Sequence, residues 1–124
     1  MTTKDIGNIG EAAAARFLKK NGYRVVGRNL HFSHNEIDIV AENKEYIVFA
    51  EVKTRSSEYD SPYGVPSSAV TRAKQAHLIE AANAYLREKK TSKQPRMDVL
   101  EVWIDKSTNE VVKINHIEDA FGVR

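Results

Sequence analysis

Apolar residues near the start of the chain recur at helical spacing. They form one stripe, made of Ile6, Ile9, Ala13 and Phe17. A stripe of this kind is typical of an amphipathic helix that packs one face on a core. We predict a helix capped by Asp5 and running to about Asn21, with Gly22 as its stop.

The next segments change to the pattern of strands. Three runs rich in Val, Ile, Tyr and Phe are separated by polar or turn-forming residues, which favours strands at Tyr23 to Asn29, Glu36 to Glu42 and Tyr46 to Thr54. The short link between the last two, Glu42-Asn43-Lys44-Glu45, predicts a hairpin.

The second half of the chain repeats the alternation of helix and strands. After a loop with Pro62, Gly64 and Pro66, Ser67 or Ser68 is expected to cap a helix that ends near Lys90. Its apolar stripe is Val70, Leu78, Ala81, Ala82 and Tyr85. Two more strands, Arg96 to Ile104 and Val111 to Ile117, are joined by a polar turn at Lys106 to Asn109. The order predicts an α/β fold: a central mixed five-stranded sheet flanked by helices, the second helix being a crossover.

Length and composition restrict the class of protein. A chain of 124 residues with 41% hydrophobic residues fits one domain spanning residues 1–124. No apolar stretch approaches the ~20 residues of a membrane span, and the start lacks a signal peptide's apolar region. We therefore expect a cytoplasmic protein without a membrane partner. Because there is no cysteine, a metal would need oxygen or imidazole ligands, which favours a hard cation.

The distribution of charge says more than the net charge of +2. From Lys53 to Lys93 there are eight Lys and Arg against four Asp and Glu, whereas from Met97 to Arg124 there are three against six. A polyanion would find its countercharge in the first of these segments. A solvated helix face is the equally open alternative.

Carboxylates and a lysine are predicted to meet on two strands. Glu51 and Lys53 share a face because side chains alternate along a strand, and Glu36 and Asp38 do the same. If the hairpin pairs these strands, Asp38 lies beside Glu51. Such a pair is tolerable when a cation lies between the two, as Mg²⁺ does between carboxylates and phosphate oxygens.

The Glu-x-Lys triplet is weak by itself, since three occur, beginning at Glu42, Glu51 and Glu88. Only the triplet at Glu51 ends an apolar run, Ile47 to Ala50. Charged residues at the end of an otherwise buried strand are energetically unfavourable, which suggests a function. An acid–base pair on a solvated sheet face is the alternative.

Both helices have polar residues that are candidates for this site. Glu11 lies seven residues before Leu18 and hence on the apolar side of the first helix. Gly7 and Gly10 beside it suggest a close backbone approach, with a frayed helix start as the equally open alternative. Lys74 and Gln75 lie at the start of the second helix, where phosphates are attracted. Long side chains that extend to solvent from the edge of an amphipathic helix are the equally open alternative.

A series of short motifs makes the chain resemble the bacterial YraN family of uncharacterised proteins. These motifs are Gly7 to Glu11, Gly22-Tyr23, Arg28-Asn29, Glu36 to Val40, Phe49 to Arg55, Ala69-Val70 with Lys74-Gln75, and Arg96 with Asp98-Val99. The family looks like Holliday-junction resolvases of the PD-(D/E)xK superfamily, with a restriction-endonuclease-like fold. One departure is Ser33-His34-Asn35 where the family usually has Gly, and Asn is expected to preserve the turn.

The resemblance implies specific roles. Asp38 and Glu51 would bind Mg²⁺ or Mn²⁺ with the Val52 carbonyl as a further ligand, and Lys53 would activate water. Glu11 would be an auxiliary carboxylate and Gln75 a polar residue supplied by the following helix.

The expected function is that of a Mg²⁺- or Mn²⁺-dependent endonuclease acting on DNA, including branched or structured DNA, with Arg55, Arg72 and Lys74 as backbone clamps. A non-catalytic DNA-binding or scaffold module is the rival, and RNA is not excluded as a substrate. A two-fold dimer follows by analogy with enzymes that cut symmetric junctions.

Other conspicuous side chains are interpreted as background. The four histidines, His31, His34, His77 and His116, are expected to be plain surface groups. For His31 and His34, which lie near the site strand, contact with phosphate or metal is the alternative. Trp103 is expected to be a core or rim aromatic. Tyr59 and Tyr63 are candidates for stacking on bases, with ordinary loop packing as the alternative.

Overall fold

The computed structural model describes residues 2–56 and 70–122, which form two helices and five strands. In chain order these are α1 (Thr3–Lys20), β1 (Arg24–Phe32), β2 (Asn35–Glu42), β3 (Tyr46–Ser56), α2 (Arg72–Lys89), β4 (Gln94–Ile104) and β5 (Val111–Phe121). The predicted order of helix, three strands, helix, two strands is confirmed.

All five strands form one mixed sheet in the order β1-β2-β3-β4-β5. The β1–β2, β2–β3 and β4–β5 pairs are antiparallel, and β3 and β4 are parallel. Parallel neighbours need a crossover, and α2 lies in that connection, as the sequence predicted.

The two helices cover opposite faces of the sheet. On one face α1 packs Ala14 and Leu18 against a core that includes Ile39. On the other, α2 packs Leu78 and Tyr85 against a second core that includes Phe49, Val99 and Phe121. The Tyr85 ring meets Phe32 and Phe49 edge-on, with ring centroids 5.5 Å apart in both pairs. The central strands are therefore buried on both sides, which explains their long apolar runs.

The start of each helix differs from the sequence prediction. Thr2 is the N-cap of α1, and Asp5 closes a capping box with it from the third helical position. Thr71 caps α2, its hydroxyl accepting a hydrogen bond from the Lys74 N–H at 3.1 Å. Val70 therefore precedes the helix rather than belonging to it. Ser67 and Ser68, the predicted caps, and the loop prolines lie outside the described residues.

The turns use left-handed backbone where the chain must reverse. Gly22 follows α1 with φ of 91°, as its predicted role as a stop requires. Between β1 and β2, Ser33 and His34 have φ of 53° and 66°, and Asn35 begins β2. The prediction that Asn35 would supply the left-handed residue of this turn is therefore wrong. No helix among the described residues is both long and apolar enough to cross a membrane.

Candidate active site

The candidate site lies where β2 and β3 part. Their backbone pairing runs from Glu42 opposite Ile47 to Ile39 opposite Ala50 and ends there. The same register would next place Asp38 opposite Glu51. Instead, Asp38 Oδ2 accepts a hydrogen bond from the Val52 N–H at 2.9 Å. A side chain thus replaces the backbone ladder and opens a gap between two central strands.

An irregularity in β2 explains how Asp38 reaches this gap. Ile37 contacts the core under α2, whereas Ile39, two residues on, contacts the core under α1. In a regular strand these two side chains would share a face. On the neighbouring β1, Asn29 has φ of 51°. The alternation therefore breaks at Asp38, a feature that the sequence pattern alone did not indicate.

Glu51 is almost fully buried, at 3% exposure, yet it faces two lysines. Its Oε1 lies 3.6 Å from Lys53 Nζ and 3.6 Å from Lys74 Nζ. Its Oε2 is buried and has no hydrogen-bond partner among the described residues. The predicted Glu51–Lys53 pair is present, and α2 adds a second ammonium group.

The carboxylates of this site hold protons more tightly than usual. Burial and the charge of Asp38 raise the pKa of Glu51 to about 7, against the opposing effects of Lys74 and Lys53. Burial also raises the pKa of Asp38, with a further contribution from Glu36. The negative charges are thus under-compensated, which a divalent cation would correct.

Glu11 joins the site from the opposite face of the sheet. It lines a cleft of about 470 Å³ together with Glu36, Asp38, Glu51 and Val52. Its Oε1 is buried without a hydrogen bond to any described residue, and Arg28 Nε lies 4.0 Å away. Burial, followed by the charge of Asp38, raises the pKa of Glu11. The sequence prediction that Glu11 faces the site agrees with this position.

Gly10 allows α1 to approach the sheet beside the cleft. A Cβ added at Gly10 would collide with the Thr54 hydroxyl and lie 3.1 Å from the Thr54 Cβ. A Cβ added at Gly7 would meet open space, because beyond its chain neighbours and the adjacent helix backbone no atom of the described residues lies within 4 Å. The predicted close backbone approach is therefore correct for Gly10 and wrong for Gly7.

The donors at this site fit a hard cation of the Mg²⁺ type. No group of three or more His, Asp or Glu side chains with metal-binding geometry occurs within residues 2–56 and 70–122. Mg²⁺ does not need one, because it is usually held by one or two carboxylates with waters and phosphate oxygens. Asp38 and Glu51 supply two carboxylates, and Val52 lines the same cleft. Glu51 Oε2, which accepts no hydrogen bond from any residue that the structure describes, is available as a ligand.

Three other predicted site residues have different surroundings. The Gln75 amide donates to the Val70 carbonyl at 3.0 Å, so it braces the entry to α2. Arg72 is exposed at the first position of α2. Arg55 Nε donates to Glu101 Oε2 at 3.2 Å. Their proposed roles stay predictions. Tyr59 and Tyr63 lie outside the described residues.

Sequence reasoning missed a buried polar network centred on β4. Asp98 is fully buried and binds both Nε and Nη2 of Arg96, at 2.8 and 2.7 Å. His116 Nε2 lies 2.7 Å from Asp98 Oδ2, so the prediction that His116 is a plain surface group is wrong. The spacing of Arg96 and Asp98, two charges on one face of an apolar strand, was the available signal.

Together these features define an α/β protein with a five-stranded mixed sheet between two helices and a buried carboxylate–lysine cluster where two central strands part. Comparison with known proteins then identifies the family. The chain belongs to the Uncharacterised protein family UPF0102, whose family model matches residues 10–102. The family named from the sequence motifs is thereby confirmed.

Relatives align over nearly the full length of the chain. A UPF0102 protein of Caldicellulosiruptor saccharolyticus is 43% identical over 122 residues, covering 98% of this chain and 100% of the relative. One from Caldanaerobacter subterraneus subsp. tengcongensis is 39% identical, covering 95% of both chains. One from Clostridium perfringens is 43% identical, covering 97% of this chain and 96% of the relative.

Proposed function

We propose that this protein is a Mg²⁺- or Mn²⁺-dependent endonuclease with a restriction-endonuclease-like fold, which hydrolyses phosphodiester bonds in DNA, including branched or structured DNA. The observation that carries the proposal is the environment of Glu51. A carboxylate that is 3% exposed, with two lysines at one oxygen and no hydrogen-bond partner for the other among the described residues, is costly for a purely structural residue. Such perturbed clusters in clefts are typical of functional sites.

The metal would be held by Asp38, Glu51 and the Val52 carbonyl, and when bound it would polarise a phosphate oxygen and lower the pKa of nearby water. Asp38 is fixed for this role by its hydrogen bond from the Val52 N–H. The carboxylate oxygens would be the metal ligands, and the cleft that they line has room for a phosphate group and water.

The lysines would act on the substrate. Lys53 Nζ is within 3.6 Å of Glu51 Oε1, so it can orient an attacking water beside that carboxylate and stabilise negative charge on the phosphoryl oxygens. The water oxygen forms the new bond to phosphorus while the P–O bond to the leaving sugar oxygen breaks. The water gives up its proton to a base or to solvent, and the leaving sugar oxygen takes up a proton. Lys74 approaches from the first turn of α2, where the helix N-terminus also favours phosphate.

The residues outside the metal cluster would bind the backbone. Arg55, Arg72 and Lys74 flank the cluster on β3 and at the start of α2, and cations placed there can neutralise phosphates. Glu11 would serve as an auxiliary carboxylate on the far side of the cleft.

Cleavage of defined substrates tests the proposal. Purified protein is incubated with linear, flapped and four-way DNAs and with an RNA duplex, each in Mg²⁺, in Mn²⁺ and in chelator. We expect metal-dependent cleavage of DNA that Glu51→Gln and Lys53→Met abolish. Glu88→Gln is the matched control because Glu88 begins another Glu-x-Lys triplet but is exposed. It should cleave as the parent does.

Calorimetry separates the rival interpretations. If Mg²⁺ and Mn²⁺ produce no binding that depends on Asp38 and Glu51, and the parent binds DNA without cutting it, a non-catalytic binding module replaces the nuclease. Cleavage that survives Glu51→Gln would also refute the proposed site.

A further inference from the structure

Arg55 lies on the same face of β3 as Glu51 and Lys53, because alternate residues of a strand share a face. It lies four positions along the strand from Glu51, at a distance of about 13 Å. Its side chain is 34% exposed, but its Nε is engaged with Glu101, which lies on β4. Arg55 is therefore a partly exposed cation with a buried anchor.

The anchor is held from a third strand. Glu101 is only 1% exposed, and its Oε1 accepts a hydrogen bond from Asn115 Nδ2 at 3.1 Å. Glu101 is the cross-strand partner of both Lys53 on β3 and Asn115 on β5. One oxygen thus faces Arg55 and the other Asn115, so that the buried carboxylate is satisfied on both sides and fixed in orientation.

An aromatic ring supports the guanidinium group. Arg55 and Trp103 are cross-strand partners, and the Arg55 Cζ atom lies 5.8 Å from the Trp103 ring centroid, within the range of cation–π attraction. Glu101 occupies only the Nε donor. Within the part of the chain that the structure describes, neither Nη group of Arg55 donates a hydrogen bond. The two Nη groups form the end of the guanidinium that suits a phosphate.

We propose that Glu101, Asn115 and Trp103 form a mount that positions Arg55 to bind a backbone phosphate of the nucleic acid, one that is not the phosphate being cleaved. The inference rests on the proposed function, because it assigns a substrate contact to the same site. Arg55 is the binding residue, and Glu101 and Asn115 are positioning residues. Fixing the arginine in advance reduces the entropy lost on binding.

Neutralisation of charge and positioning make opposite predictions for Glu101. If Glu101 only neutralises Arg55, its replacement by Gln frees a positive charge and strengthens the binding of a polyanion. If Glu101 positions Arg55, the same change leaves the guanidinium mobile and weakens binding while the number of positive charges stays the same.

The test is duplex DNA binding measured by fluorescence anisotropy in chelator, where cleavage does not interfere, over a series of salt concentrations. Arg55→Ala should weaken binding about tenfold, the worth of one charge-assisted hydrogen bond. It should also reduce the slope of log K against log salt by about 0.9. Arg55→Lys should restore the slope but not the affinity. Glu101→Gln and Asn115→Ala should each weaken binding several-fold, with the slope of the parent.

The controls separate this inference from the proposed function. Arg87→Ala removes the same charge in the last turn of α2, roughly 20 Å along the helix from Lys74, and should bind as the parent does. Circular dichroism checks that each variant is folded, and Arg55→Lys keeps the test decisive if Glu101→Gln unfolds. Two results would overturn the proposed positioning of Arg55: an Arg55→Ala variant with unchanged affinity and slope, or a folded Glu101→Gln variant that binds DNA as tightly as the parent or more tightly. The proposed nuclease function would survive either result if the parent still cleaves DNA. A parent that neither binds nor cuts any nucleic acid overturns both.

Discussion

Glu51 offers a prediction about stability that can be worked out from its pKa. The pKa is about 7 in the folded protein and 4.5 for an ordinary glutamate. A raised folded-state pKa means that the folded protein binds the proton more tightly than the unfolded chain. The stabilising effect is therefore complete below about pH 4.5 and is lost as the pH rises through 7. At about 1.4 kcal/mol per pKa unit, the loss approaches about 3 kcal/mol.

Glu51→Gln removes this loss because the amide does not ionise. In chelator, we expect the variant to be more stable than the parent by up to about 3 kcal/mol at pH 8, and the difference to shrink steadily toward pH 4.5. The assay is urea unfolding of both proteins at several pH values, with Glu88→Gln as the exposed control. Added Mg²⁺ should stabilise the parent but not the variant, since ligand binding favours the folded state.

Two results would contradict this prediction: a parallel loss of stability in the parent and Glu51→Gln between pH 5 and pH 8, or a Glu88→Gln variant that behaves like Glu51→Gln. Either result would mean that the crowding of buried carboxylates does not oppose folding. Functional sites often lower the stability of the folded protein, so a substitution that disables such a site commonly raises it.

Two further predictions concern residues other than the proposed metal ligands. Gly10→Ala should destabilise the protein, because overpacking against Thr54 costs about 1–3 kcal/mol and outweighs a helix-propensity gain of about 1 kcal/mol. Gly7→Ala, in open space, should stabilise it by up to about 1 kcal/mol. Thermal melts of the two variants check this, and an equal response would contradict it. Burial acts to raise the pKa of Asp98, but hydrogen bonds, led by those from His116 and Arg96, lower it. Its stabilising effect should be present above pH 3.8 and be lost as the pH falls. Asp98→Asn should therefore cost about 3–5 kcal/mol at pH 7 in urea unfolding, since it removes the buried carboxylate that pairs with Arg96, and a cost below about 1 kcal/mol would refute this.

Much of the secondary structure was predictable because its signals are local. The helical stripe of α1 and the apolar runs of the strands depend on residues a few positions apart. The boundaries were less accurate. Thr, Ser and Asp are all favourable helix caps, so residue type alone does not distinguish Thr2 from Asp5 or Thr71 from Ser67 and Ser68. It does not show which side chain accepts a hydrogen bond from the first free N–H groups of the helix.

The candidate site was predictable in part. Glu51 and Lys53 share a face by strand alternation alone, and the hairpin brings Asp38 next to them. The contact between Lys74 and Glu51 was not predictable from strand alternation and the hairpin, because it depends on how α2 lies across the sheet. The contact between Arg55 and Glu101 was not predictable either, because it requires the parallel register of β3 and β4.

The sequence by itself determined the elements, their order and the charged residues that interrupt a buried strand, since these follow from the spacing of side chains along one segment. Only the tertiary structure decided which charges meet. The break in alternation at Asp38, the two lysines at Glu51 and the fixed position of Arg55 all depend on register and packing between distant segments. Contacts of that kind are set by the whole sheet, because a shift of one residue would turn each of these side chains to the opposite face.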